Sequence, residues 1–205
     1  MSKLVNDLVR KGCLRTSRTV DAFSEISRLE FVPEEFVMQA DADVALPIGH
    51  CQTISQPSTV ALMFELLDPQ EGHKVLDVGS GSGWSTALLS YIVGEKGKVF
   101  AVERKAGLLE MGEYNVDKFK YIKDGRAKMV LGDGSLGLSS EAPFDRILVS
   151  ASAEEIPEEL KKQLKIGGKL VIPIRNNLIY LEKKSEEEFA KEEYPGFSFV
   201  PLISN

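Results

Sequence analysis

VLDVGSGSGW, residues Val75–Trp84, decides the fold. Its apolar start, without polar alternation, is the pattern of a strand buried on both faces, as in parallel sheets. The strand runs straight into Gly79, Gly81 and Gly83, and a helical pattern starts at Trp84. Glycines at such a turn reach positive φ and let a ligand lie against bare backbone. The helix start then offers unpaired N–H groups to anionic or polar ligand atoms. The spacing is G-x-G-x-G. Trp84 stands where the third glycine of the G-x-G-x-x-G dinucleotide fingerprint falls, which argues against a dinucleotide-dependent oxidoreductase.

Working outward, strands and helices alternate. Ser55 with Pro57 behind it opens a helix carrying Val60, Met63, Phe64 and Leu67. A helix from Trp84 through Val93 leads to the run KVFAVE, and another passes through Met111 and Phe119. The runs AKMVLG, DRILVSA and GKLVIPI follow, with Ile156–Leu164 helical between the last two. This order predicts an α/β, doubly wound, mostly parallel sheet with right-handed crossovers, covered on both faces. NLIYLEKK and FSFVPLI read as two closing strands, making seven and ending the sheet in an antiparallel hairpin. The stretch Glu182–Glu193, with six glutamates and three lysines, reads as a solvated connector between them.

The N-terminal third reads as helical. Leu4, Val5, Leu8 and Val9 recur at helical spacing with Gly12 as C-cap, and Thr16 or Ser17 caps a second helix with Val20, Phe23 and Ile26 buried. Phe31–Gln56 has no sustained period and reads as a structured loop, of a length usually reserved for function. The expected organisation is one domain over 1–205. It comprises N-terminal helices and a substrate loop (1–56), a cofactor-binding core (57–174) and a C-terminal strand pair (175–205).

The 205 residues carry 25 Lys+Arg against 31 Asp+Glu, a net charge of −6. That balance argues against a nucleic-acid partner. Hydrophobic residues make up 43% and charged ones 27%, ordinary for a globular chain and too apolar for a disordered one. Cys13 and Cys51 form neither a disulfide framework nor a metal spacing, so no metal is expected. The start MSKLVNDLVRKG lacks a signal-peptide core, and no apolar run approaches the ~20 residues of a membrane span. A cytoplasmic monomer, away from membranes, is the expectation.

Two acids reinforce the ligand reading. Glu103 ends KVFAVE, 24 residues beyond Gly79, close to the ~20 at which a strand-end acid grips ribose hydroxyls. Asp133 ends the next strand in LGDG, flanked by Gly132 and Gly134. Asp77, inside the strand, is expensive to bury unpaired, so it holds the turn or reaches the ligand. The short glycine spacing is similar to that of S-adenosylmethionine-dependent methyltransferases, where an acid at the Asp133 position accepts from the adenine amino group. The expected cofactor set is Asp77, Gly79, Ser80, Gly81, Gly83, Glu103, Arg104, Asp133 and Gly134.

The rest of the chain narrows the acceptor. RLEFVP (Arg28–Pro33), ADADVALPIGHCQTISQP (Ala40–Pro57), PFDRILVSASAEEIP (Pro143–Pro157), QLKIGGKLVIPI (Gln163–Ile174) and FVPL (Phe199–Leu202) occur in one order over nearly the whole chain. With VLDVGSGSGW they resemble the protein-L-isoaspartate O-methyltransferase family, LPIG followed by QTISQP being the specific part. The resemblance implies a Rossmann-like methyltransferase fold. It also implies methyl transfer from S-adenosylmethionine, leaving S-adenosylhomocysteine, to the α-carboxylate of L-isoaspartyl residues in damaged proteins. The ester then collapses to a succinimide. By the same resemblance Ser55 is the catalytic residue, although on local pattern it serves equally as a helix N-cap. Ile48, Gly49, Thr53 and Ile54 become the walls and floor of the peptide cleft, with Ser150 and Ala151, beside Ser152, where substrate backbone approaches.

The chain departs from the family pattern at Asp41, where an aromatic is usual, and at Cys51, often Gly. Asp41 would repel an anionic acceptor unless it faces away. Two alternatives stay open: a methyltransferase of this build acting on another small-molecule or RNA acceptor, and a cofactor-binding regulator without catalysis.

Overall fold

The structure, a computed structural model, describes residues 1–203. Two helices open it, α1 (Lys3–Arg10) and α2 (Ser17–Glu25). Ser2 caps α1 by accepting from the Val5 N–H, and Gly12 turns the chain away at positive φ. Two 3₁₀ turns, Arg28–Phe31 and Glu34–Gln39, lead to a small antiparallel hairpin, β1 (Leu46–Gly49) and β2 (Gln52–Ile54). The segment 31–56 is therefore more ordered than a loop. Its pieces are too short to show a period.

Helix α3 (Pro57–Leu67) then starts the alternation: β3 (Lys74–Val78), α4 (Trp84–Val93), β4 (Lys98–Glu103), α5 (Ala106–Asp117), β5 (Ala127–Leu131) and β6 (Phe144–Val149). Next come α6 (Glu158–Lys162), β7 (Leu164–Ile174), β8 (Asn177–Lys183) and β9 (Phe189–Pro195). The seven-stranded sheet has the order β5-β4-β3-β6-β7-β8-β9, parallel up to β7 and antiparallel thereafter. The expected sheet is thus present. Helix α6 is shorter than the expected 156–164, since Pro157 caps it and Leu164 already pairs with Phe144.

The last strand differs from expectation. β9 lies within the charged run read as a connector, and only the turn after Lys183 is a link. An edge strand with one wet side tolerates charges, and here they conceal the strand pattern. FSFVPLI is not a strand. Phe197 and Phe199 pack onto the core, and the chain runs on across the strand ends, touching β-structure once, at Ser152↔Pro201.

Two apolar layers flank the sheet. Leu8, Phe23, Phe64, Trp84 and Leu88 join Val75, Val99 and Leu148 on the face covered by α1–α5. Leu76, Val78, Phe100, Phe144 and Ile147 meet Leu160 on the other, covered by α6 and short 3₁₀ turns. Phe64 is fully buried, with its ring edge-on to Phe23 at 6.0 Å. Phe64→Ala should cost about 3–5 kcal/mol, a transfer plus cavity loss, measured by chemical denaturation. No helix among the described residues is long and apolar enough to cross a membrane.

Candidate active site

The carboxyl ends of β3, β4 and β6 open into a cleft of about 870 Å³, its solvent-open mouth included. It lies where open parallel sheets bind ligands. Its floor is the glycine turn. Gly81 carries φ 54°, and a Cβ there would come within 3.1 Å of Ile48 Cδ1, so the hairpin packs directly on bare backbone. Ser80 beside it is buried, lines the cleft, and its Oγ has no hydrogen-bond partner among the described residues. Gly83 does not line the cleft. A Cβ there would sit 2.8 Å from Val116 Cγ2 and 3.0 Å from Gly112 O, so this glycine lets α4 start close against α5.

Glu103 is buried at the end of β4 and lines the cleft. Its Oε2 accepts from Gly81 N–H at 2.9 Å, and its Oε1 from the N–H groups of Arg104 (2.9 Å) and Lys105 (3.0 Å). It braces the glycine turn while a carboxylate lone pair stays free for a ligand hydroxyl. Asp133 stands at the end of β5, with Arg104 Nη1 3.9 Å from its Oδ2. Its Oδ1 takes the N–H and hydroxyl of Ser135 and so starts a 3₁₀ turn, and Gly134 rather than Asp133 lines the cleft. Arg104 lines it as well.

Asp77 lies behind the floor, fully buried. Its Oδ2 accepts from Ser85 Oγ and Thr86 Oγ1, each at 2.7 Å, while Oδ1 has no partner among the described residues. Burial pushes its carboxyl up to about 6, against the pull of those two hydroxyls. In the unfolded chain the group ionises near its ordinary value of 3.8, so between about 4 and 6 the folded state binds more protons. Stability from this group is present below pH 4 and is lost as pH rises to 6. Asp77→Asn should abolish that dependence: its stability relative to the native chain should rise from pH 4 to pH 7 in paired urea titrations. A constant difference would refute the shift.

The N-terminal section supplies the other wall. Ile48, Thr53, Ile54 and Ser55 line the cleft, and Gly49 turns the hairpin outside it. Ser55 does not cap α3. Gln56 occupies the cap position without a side-chain bond, and Asp43 Oδ1 accepts from Ser58 N–H at 2.9 Å instead. Ser55 Oγ is left without a hydrogen bond to any described residue, and Ser55 lines two cavities at once. The second is a groove shared with Thr53 and Ser150 and walled by Gln56, Ser58, Thr59, Phe197 and Ser198, with no charged residue in its lining. Asp41 faces elsewhere, into a groove against α1. Cys51 is exposed and, with His50, lies outside the cleft.

Ser150 and Ala151 line the cleft beyond β6 as expected. Ser152 is occupied otherwise: its N–H donates to Val200 O (2.8 Å) and its C=O accepts from Leu202 N–H (2.7 Å). This holds Val200–Ile203 as a strap along the cleft, with Arg104 Nη1 donating to Ile203 O at 3.1 Å. The sequence offered FVPL as a strand, so this wall was missed. Ser85 and Trp84, which also line the cleft, were missed as site residues because helix-start positions look like packing.

A family model described as protein-L-isoaspartate(D-aspartate) O-methyltransferase matches residues 1–205. The chain belongs to that family. A protein-L-isoaspartate O-methyltransferase from Methanopyrus kandleri is 44% identical over 205 residues, covering 98% of this chain and 90% of its own. One from Methanothrix thermoacetophila is 46% identical over 191 residues, 92% and 89% of the two chains. The crystal structure of a protein-L-isoaspartate O-methyltransferase from Plasmodium falciparum, in complex with S-adenosyl-L-homocysteine, matches with a TM-score of 0.86 at 26% identity. It covers 98% of this chain and 97% of that one. The seven-stranded sheet is therefore the methyltransferase sheet of this family.

Proposed function

We propose that Ser55 aims the acceptor in the reaction of this family, methyl transfer from S-adenosylmethionine to the α-carboxylate of L-isoaspartyl residues in damaged proteins and peptides. The observation that carries this is a hydroxyl with no partner among the described residues, on a residue that lines both the cofactor cleft and the uncharged groove. The cleft fits the donor: bare backbone at Gly79 and Gly81, a Ser80 hydroxyl unpartnered among the described residues, and the Glu103 carboxylate suit a polar nucleoside. S-adenosylmethionine supplies a methyl group made electrophilic by its sulfonium charge.

The chain's own part is mostly positional. A carboxylate of pKa near 4 is already ionised at pH 7, so no general base is required. Neither His50 nor His73 lines the cleft. Ser55 Oγ donates to one acceptor oxygen and Thr53 borders the same space, leaving the other oxygen directed along the cleft. Such alignment can supply ~7–11 kcal/mol of the barrier. The hairpin on one side and the strap on the other exclude water. Glu103 and the glycine turn hold the nucleoside, Arg104 and Gly134 border its far end, and Asp77 fixes Ser85. The uncharged groove receives the polypeptide on either side of the damaged residue. A cytoplasmic monomer without nucleic-acid partners completes the reading, in keeping with the net charge of −6.

The test is purified protein with labelled S-adenosylmethionine and a pair of peptides differing only in isoaspartate or aspartate at one position. Base-labile label should appear on the isoaspartyl peptide alone. Label on both, or on neither, would overturn the reading.

A further inference from the structure

Arg28 is buried, 2% exposed, and forms no ion pair with a described residue. Its Nη1 donates to the carbonyls of Ala40 (3.0 Å) and Ala42 (3.2 Å). Its Nη2 donates to those of Val44 (2.8 Å), Ile54 (3.4 Å) and Ser55 (3.2 Å). Nε has no partner among the described residues, and the guanidinium lies over the Trp84 ring at 5.6 Å. One side chain thus fastens both flanks of the hairpin and the peptide that carries Ser55.

Fastening alone does not require a charge, and burying a cation without a counterion is costly. Burial lowers the guanidinium to about 10, so it stays charged at neutral pH. The charges that act on it are Asp43 and Asp41, both favouring the cation. Asp43 is already engaged by Lys11 Nζ at 3.0 Å and the Ser58 N–H, and Asp41 lines the groove against α1. On the remaining side stand Trp84, Ile54 and Ser55, all of which line the cleft. Arg28 thus stands behind the wall where Ser55 lines the cleft, without lining it itself.

We propose that Arg28 is a positioning residue for the acceptor: it fixes the Ser55 peptide and sets a positive potential behind the acceptor wall that favours an ionised α-carboxylate. This rests on the reading of the Ser55 cleft as the acceptor site. It explains how a chain of net negative charge, with no cationic side chain on the uncharged groove, takes an anionic substrate.

The experiment measures binding of an isoaspartyl peptide, and of the same peptide with an α-carboxamide, to the S-adenosylhomocysteine-loaded protein. The native chain should prefer the carboxylate. In Arg28→Met both peptides should weaken as the Ser55 peptide loosens, and the carboxylate at least about tenfold more than the carboxamide, the size of one charge-assisted hydrogen bond. Arg28→Lys should restore part of the preference at pH 7 and lose it by pH 9, because a buried ammonium with no carboxylate partner loses its proton early. The native arginine should keep its preference over that range. Equal weakening of both peptides in Arg28→Met would make Arg28 a brace only and overturn the proposal. If Arg28→Met does not fold, a pH-independent Arg28→Lys overturns it instead. A native chain that binds neither peptide removes the acceptor-site reading itself, and this proposal with it.

Discussion

Ser55→Ala should lower kcat about 10²-fold while S-adenosylhomocysteine binds nearly as before. The magnitude is that of a small misplacement of reacting atoms, since the acceptor oxygen is ionised without help and loses only its aim. The residue is half-buried and its hydroxyl makes no hydrogen bond to a described residue, so removing that hydroxyl orphans no partner, and the Ser55 carbonyl still accepts from Arg28. Asp43 still caps α3 in the variant, which keeps a stability change from imitating a catalytic one. Single-turnover rates and the dissociation constant, measured on one preparation, separate the two. A collapse of cofactor affinity with an intact single-turnover rate would contradict the assignment.

Glu103→Ala should do the reverse. Three backbone N–H groups, of Gly81, Arg104 and Lys105, lose their acceptor together, and the nucleoside loses its carboxylate. Hydrogen bonds to a charged group are worth about 1.5–3 kcal/mol each, so S-adenosylhomocysteine should bind at least about 10²-fold more weakly. Glu103→Gln, which keeps the shape and one strong acceptor, should lose about tenfold. Calorimetric titration reads both. If Glu103→Ala lowered only stability and left the dissociation constant unchanged, Glu103 would be a brace for the turn and nothing more.

How far such residues can be found in advance depends on the range of the forces that place them. VLDVGSGSGW is legible because a doubly buried strand, a glycine turn and a helix start are local matters, and α4 begins and ends where the pattern says. Asp133 is legible as a strand-end acid because its position follows from the sheet pattern. Its actual bond to Ser135 depends on a turn two residues on, which periodicity does not register. β9 was hidden because an edge strand is free to be charged. Arg28 could be read only as one residue of RLEFVP, since its five carbonyls come from 12 to 27 residues away and meet it only after folding. The strap was misplaced for the same reason: Val200 and Leu202 pair with Ser152, not with a neighbouring strand.

The groove beside Ser55 is walled by hydroxyls, Gln56, backbone and two phenylalanines, without a charge. A wall of that kind offers no flanking side chain a preferred partner and repels none. Recognition then falls on the one abnormal linkage, and the surrounding peptide adds little affinity. Such an enzyme gives up tight binding to any one client and gains access to many. It is suited to damage that arises at random sites, where the substrate is defined by its lesion and never by its address.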